Sequence, residues 1–77
     1  MLFINLVRDT TIHGLICISI IESEDDEVSD VMYLEVADDL EDYLIDGGED
    51  KFIMLANLTV SEIFCPGDGY LHIDLVR

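Results

Sequence analysis

Closely spaced carboxylates are the groups in this chain whose type and spacing most clearly suggest a function. Residues 38–46 (DDLEDYLID) contain five acids. Leu40, Tyr43 and Leu44 have the i, i+3, i+4 spacing of an apolar helix face. The segment is therefore predicted to form a short helix that packs through these three side chains.

The acids of this predicted helix form a ridge. Asp38, Asp42 and Asp46 follow at i, i+4 and i+8, opposite Leu40. Each like-charge pair at this spacing costs about 0.2–0.5 kcal/mol, and Asp46 also faces the negative end of the helix dipole. Asp38 can cap the helix start, and Gly47 can end it with a positive φ. A helix that accepts this repulsion suggests that its carboxylates serve binding.

The charge density of the segment approaches that of a nucleic acid. Five acids over a helix of about 13.5 Å give roughly one charge per 2.7 Å, compared with about 1.7 Å for duplex DNA and about 3.4 Å for a single strand. The loop from Glu22 can extend this strip. Tyr33, on the same strand face as Glu35, can add a stacking surface.

The acids are also segregated along the chain. Fourteen of the 18 lie between Glu22 and Asp50, and no Lys or Arg occurs between Arg8 and Lys51. Solubilising surfaces usually mix both signs, whereas a segregated charge steers a partner of opposite sign. A plain solvated face and adaptation to high salt are the two alternatives. The predicted partner-binding residues are Glu24, Asp25, Asp26, Glu27, Asp30, Glu35, Asp38, Asp39, Glu41, Asp42, Asp46, Glu49 and Asp50.

Clustered carboxylates could instead bind calcium. An EF-hand loop requires acidic or amide side chains at its third and fifth positions. Counting from Asp42, the third position is Leu44, and counting from Glu24, the fifth is Val28. Neither segment fits, so weak and nonspecific divalent binding is expected in place of a dedicated metal site.

Zinc binding and nucleophilic catalysis are two further chemistries for which the chain contains suitable residue types. His13, Cys17, Cys65 and His72 are suitable zinc ligands, but their spacing matches no zinc pattern. So acidic a chain disfavours the thiolate that a catalytic Cys65 would need, and 77 residues leave little room for a sugar cleft between paired carboxylates. The sequence predicts no enzyme activity, metal or cofactor.

The charge of the whole chain restricts its partners. Eighteen acids oppose only Arg8, Lys51 and Arg77, for a formal net charge of −15. Direct binding of nucleic acid or anionic membranes is not expected, because both depend on Lys and Arg. Two cysteines without a CxxC motif, and an N-terminus lacking a basic segment before its apolar run, predict a cytoplasmic protein.

The apolar segments predict a β-rich fold. Residues 22–30 should form a solvated loop, and the PGDG segment a turn with Pro followed by Gly. The near-continuous apolar residues at 12–21 suggest a strand buried on both faces, or buried on one face with the other used for self-association. The predicted strands comprise residues 2–7, 12–21, 31–36, 51–65 (as one bent strand or two) and 70–76.

These elements predict a single α+β domain spanning residues 1–77. Its sheet should be mainly antiparallel, with five or six strands and one short acidic helix packed on it. The acidic loop and helix at residues 22–50 are the expected functional segment.

In size and composition the sequence resembles the acidic DNA-mimic inhibitors of phages and mobile elements, of the anti-CRISPR and anti-restriction type. The segments that carry the resemblance are ESEDDEVSD and ADDLEDYLIDGGED, within residues 22–50. The resemblance implies a mechanism in which carboxylates occupy the DNA- or RNA-binding groove of a defence protein. It also implies a basic partner, such as a Cas effector or restriction enzyme, met in the host cytoplasm.

A second hypothesis is an acidic interaction module or small subunit that binds a basic partner without mimicry, through a sheet edge or an apolar face. The unusually apolar residues 2–21 also allow a homodimer.

Overall fold

The computed structural model describes all residues, Met1–Arg77. The chain folds into three helices and four strands. In chain order these elements are α1 (Phe3–Asp9), β1 (Gly14–Glu22), β2 (Glu27–Val36), α2 (Leu40–Asp46), α3 (Glu49–Ala56), β3 (Thr59–Phe64) and β4 (Leu71–Val76).

The four strands form one open mixed sheet with the order β2-β1-β4-β3. β1 and β2 make an antiparallel hairpin, and β3 and β4 make another. The two hairpins join through β1 and β4, which run parallel, with Cys17 in register with His72. β2 and β3 are therefore the two edges of the sheet.

All three helices pack on one face of the sheet. Ile16, Ile18 and Ile20 on β1 point into this layer and are fully buried. Ile73 and Leu75 on β4 lie beside them, and the helices contribute the remaining core side chains, among them Phe3, Leu40 and Leu55. Burying one such side chain contributes about 1.5–3 kcal/mol, so this layer supplies most of the stability.

The predicted architecture is wrong in its sheet. The structure has a four-stranded mixed sheet, not five or six mainly antiparallel strands, and three helices rather than one. The central pairing of β1 with β4 is parallel and joins segments that are far apart in the chain. Hydrophobic patterns do not encode such pairing, whereas hairpin pairing follows from adjacency.

Two segments predicted as strands are helices. Residues 2–7 fall in α1, where Phe3, Leu6 and Val7 have i, i+3, i+4 spacing and are buried. Residues 51–60 fall largely in α3, with Phe52, Leu55 and Ala56 buried at the same spacing. Only β3 remains of the predicted strand region at 51–65. In both segments the buried apolar side chains recur with the helical period, although the residue types favour strands.

Candidate functional site

The first group of predicted site residues lies at the tip of the β1–β2 hairpin. The turn occupies residues 23–26, and β2 already begins at Glu27, so part of the predicted loop at 22–30 is strand. Asp26 has a φ of 56°, a conformation that Asp tolerates better than most residues. The Glu27 backbone N–H donates to Asp25 Oδ1 at 3.1 Å. Asp25 and Asp26 therefore have a structural role in the turn, besides any role in binding.

A second group follows the outer edge of the sheet. Asp30 and Glu35 are exposed on β2, an edge strand. Charged side chains on an edge strand prevent it from pairing with another chain. Asp30 lies beside Ile20 on the helix face of the sheet, and Glu35 lies beside Leu15 on the opposite face, so these two acids extend the negative charge along the β2 edge on both faces.

The third group is built by α2. This predicted helix is confirmed at Leu40–Asp46, with Leu40 and Leu44 buried against the sheet. Tyr43, expected to pack with them, is 40% exposed. Its side chain lies at the edge of the buried face of α2 and lines a surface groove.

The ends of α2 differ from the prediction. Asp39 occupies the N-cap position in place of Asp38, and its side chain makes no capping hydrogen bond. Gly47 adopts a helical φ of −77°, and the positive φ of 143° falls on Gly48, before α3. Glu49 and Asp50 lie in the first turn of α3, where the helix dipole favours negative charge.

The three acids of the predicted ridge, together with Asp39, line one shallow groove beside α2. The groove has a volume of about 370 Å³ and is lined by Asp38, Asp39, Asp42 and Asp46 together with Val36, Ala37, Tyr43 and Ile45. Asp38 precedes the helix but still faces this groove. The structure therefore brings these four residues together, although only Asp42 and Asp46 form a helical i, i+4 pair.

Within the groove, one carboxylate oxygen is unusual. Asp39 Oδ1 is buried and has no hydrogen-bond partner. A buried acceptor without a donor costs about 1–3 kcal/mol.

The hairpin acids do not join the α2 acids in one compact cluster. Glu27 and Val36 are separated by the whole of β2, nine residue steps and thus about 30 Å. The predicted strip is instead an elongated surface along the β2 side of the molecule. We call it the acidic side: the hairpin tip (residues 24–27), Asp30, Glu35 and the groove acids.

Positive charge hardly offsets this surface. Arg8 Nε pairs with Glu41 Oε2 at 3.3 Å, and Arg77 Nε pairs with Glu22 Oε1 at 2.8 Å. Lys51, on α3, forms no ion pair. Glu41 is therefore the one predicted site residue that is neutralised within the chain.

The candidate metal and nucleophile residues are not assembled. Cys17 is a buried residue of β1 on the sheet face opposite the helices. Cys65 is exposed in the β3–β4 loop. His13 borders the same surface cleft as Cys65, whereas His72 is bound to Asp68. No group of three or more His, Cys, Asp or Glu side chains is arranged to hold a metal ion.

The sequence predicts the PGDG turn but not the contacts that Asp68 makes in it. The Tyr70 backbone N–H donates to Asp68 Oδ1 at 2.9 Å, and Asp68 Oδ2 lies 2.7 Å from His72 Nε2. These contacts, that of Tyr70 first, hold the pKa of Asp68 below its ordinary value.

Sequence reasoning also missed the sheet face opposite the helices, which no element covers. Tyr33 was recognised as exposed, but its contact with Tyr70 was not, since it depends on the register of β2, β1 and β4. The alternation of residues 70, 72, 74 and 76 could have placed Tyr70 on this face.

None of the helices is long and apolar enough to cross a membrane. The chain matches no known protein family, no curated protein and no solved structure.

Proposed function

We propose that this protein is a nucleic-acid mimic that inhibits a DNA- or RNA-binding protein by occupying its basic groove. The acidic side is the contact surface. A Cas effector or a restriction enzyme in a host cytoplasm is the expected class of target, and the mechanism is competition for the groove.

The spacing of free carboxylates along the acidic side is the observation that carries the proposal. Eleven acids lie between Glu24 and Asp46, and only Glu41 among them has an ion pair, which leaves ten. Glu27, Asp30 and Glu35 lie on β2, which is about 30 Å long, and the other seven lie at its two ends. Over a span of this order the ten acids give roughly one charge per 3 Å, close to the value of about 3.4 Å for a single strand. Single-stranded nucleic acid is therefore the closer match in charge density.

The support of these charges is rigid. The hairpin and α2 are fixed by strand pairing and by the buried Leu40 and Leu44. A preorganised surface loses little conformational entropy on binding. A basic groove would thus meet carboxylates already held in place.

The groove beside α2 offers the strongest single contact. A Lys or Arg side chain entering it would meet Asp38, Asp42 and Asp46. Hydrogen bonds to charged groups contribute about 1.5–3 kcal/mol. The net charge of −15 would also accelerate the encounter with a basic partner.

A competition experiment tests the proposal. The tagged protein is used to capture proteins from a host lysate, with and without added duplex DNA, single-stranded DNA and RNA. We expect the protein to capture nucleic-acid-binding proteins, and we expect one of the three competitors to release them. Capture that no nucleic acid reduces would contradict mimicry and favour the non-mimicking interaction module.

A pair of variants with equal charge changes separates the acidic side from net charge. D42K alters the groove, whereas D9K alters an exposed acid elsewhere and changes the net charge by the same amount. We expect capture to be lost in the first variant and retained in the second. Equal losses would show that bulk charge alone drives binding.

A further inference from the structure

The sheet face opposite the helices forms a second surface, which we call the outer face. It is built by alternate residues of all four strands, and the register places Tyr33, Cys17, His72 and Phe64 in one row across the sheet. No helix packs on it, because the helices share the opposite face with Ile16, Ile18 and Ile20.

Aromatic rings occupy the centre of the outer face. Tyr33 and Tyr70 meet edge to face, with ring centroids 5.3 Å apart, although their strands are separated by β1. Phe64 stacks on His72 with centroids 5.0 Å apart. The two tyrosines lie over β1 and cover Cys17, which is only 2% exposed on a face without a second layer.

The exposed aromatic and apolar area is unusual for so charged a chain. Tyr33 is 64% exposed, and its neighbours Leu15 and Val31 are 43% and 42% exposed. Contiguous apolar surface of this kind marks interaction sites in proteins that remain soluble.

The charges of the outer face restrict what can cover it. Its ionised side chains are Glu35, Glu62 and Asp74, and none of the four strands contains Lys or Arg. A second copy of the chain would bring the same acids, and a further net charge of −15, against this face. The phosphates of a nucleic acid would be repelled by the same acids. Charge complementarity therefore selects a basic protein surface.

Among basic side chains, arginine fits this surface best. Its guanidinium stacks on aromatic faces and binds carboxylates through two parallel hydrogen bonds, whereas the lysine ammonium is a strongly hydrated point charge. Glu35 lies on the same strand face as Tyr33, opposite Leu15 in the register. A carboxylate beside an exposed tyrosine ring supplies both interactions.

We propose that the outer face is a docking site for a basic protein and that it recognises an arginine side chain through Tyr33, Tyr70 and Glu35. This site shares Glu35 with the acidic side but is separate from the groove beside α2, and the proposal does not depend on nucleic-acid mimicry.

Titration with two synthetic peptides tests this proposal. The first is an arginine-rich peptide, and the second has every arginine replaced by lysine. Backbone amide signals of the isotope-labelled protein report both the affinity and the surface that is contacted. We expect shifts on β1, β2 and β4 around Tyr33, and an affinity for the arginine peptide about fivefold or more above that for the lysine peptide.

Variants assign this preference to the aromatic ring. Tyr33→Ala should remove the arginine preference, Tyr33→Phe should retain it because the ring remains, and Val31→Ala is the control on the same strand face. Asp42→Asn with Asp46→Asn should weaken both peptides equally and leave their ratio unchanged.

Three results would overturn the proposal. They are equal affinities for the two peptides, shifts confined to α2 and the hairpin tip, and a dimer in sedimentation experiments that buries Tyr33. The first two would still be compatible with nucleic-acid mimicry, so the two proposals fail independently.

Discussion

The carboxylate of Asp68 lies 2.7 Å from the imidazole Nε2 of His72, between the β3–β4 loop and the strand that follows it. The other carboxylate oxygen accepts the Tyr70 backbone N–H. Because Tyr70 is held by this contact, the β3–β4 loop also positions the ring that meets Tyr33. One aspartate thus links the conformation of the loop to the outer face.

The lowered pKa of Asp68 predicts a pH-dependent contribution to stability. The contribution is fully present above the pKa of an unfolded aspartate, about 3.9, and is lost as the pH falls through the lower pKa of the folded state. Asp68→Asn should therefore be less stable than wild type at pH 5–7, and the difference should shrink as the pH falls below the unfolded pKa and through the lower pKa of the folded state. Urea unfolding across this range measures it.

Asp74→Asn is the matched control for Asp68→Asn, because it removes the same charge from β4 but breaks no hydrogen bond or ion pair. If the stability difference between wild type and Asp68→Asn increased as the pH fell, the role assigned to Asp68 would be wrong.

The two tyrosines over Cys17 predict slow modification of its thiol. In a Cys65→Ser background, Cys17 should react slowly with a thiol reagent, since it is buried under the rings of Tyr33 and Tyr70. An aromatic pair contributes about 0.5–1.5 kcal/mol, so Tyr70→Ala should raise the rate by about two- to tenfold. The exposed Cys65 in a Cys17→Ser background provides the unprotected rate, and rapid labelling of wild-type Cys17 would contradict the covered arrangement.

The buried side of α1 predicts a large loss of stability on truncation. Phe3 is fully buried in the core. Phe3→Ala should cost about 3–5 kcal/mol, a large part of the roughly 4–12 kcal/mol expected for a domain of this size. Chemical denaturation measures the change, and Asn5→Ala, on the exposed side of the same helix, should have little effect.

The same helix shows where the sequence was insufficient. Residues 2–7 favour strand by composition, and seven helical residues are too few for the period of Phe3, Leu6 and Val7 to be decisive. α2 was predictable because charged residues separate its apolar positions and make the period visible. Long-range pairing, such as that of β1 with β4, leaves no local signal.

The candidate site was predictable to a similar degree. The four groove acids follow from one helix and the residues before it, so local spacing was enough to bring them together. The distance between the hairpin tip and α2 depends on the full length of β2, which begins four residues before the predicted strand. The outer face depends on the register of three strands and was not predictable from spacing within any one of them.

The charges at the ends of α2 and α3 predict unequal effects of one type of substitution on stability. Asp46 lies in the last turn of α2, where the helix dipole opposes negative charge, and four residues after Asp42. Asp46→Lys reverses both unfavourable interactions and should stabilise the fold by about 1 kcal/mol. Asp50→Lys, in the first turn of α3, loses a favourable dipole interaction and should gain less or become less stable.

Asp46→Lys should at the same time weaken binding of the basic partner, because it places a cation in the groove that would receive the partner's Lys or Arg. Thermal unfolding and the capture experiment, performed on the same variant, test the two effects together. A variant that is more stable but binds less would show that the negative charge at Asp46 is kept for binding at the expense of stability. A variant that is more stable and binds as well as wild type would remove Asp46 from the contact surface and leave its position on α2 without a functional explanation.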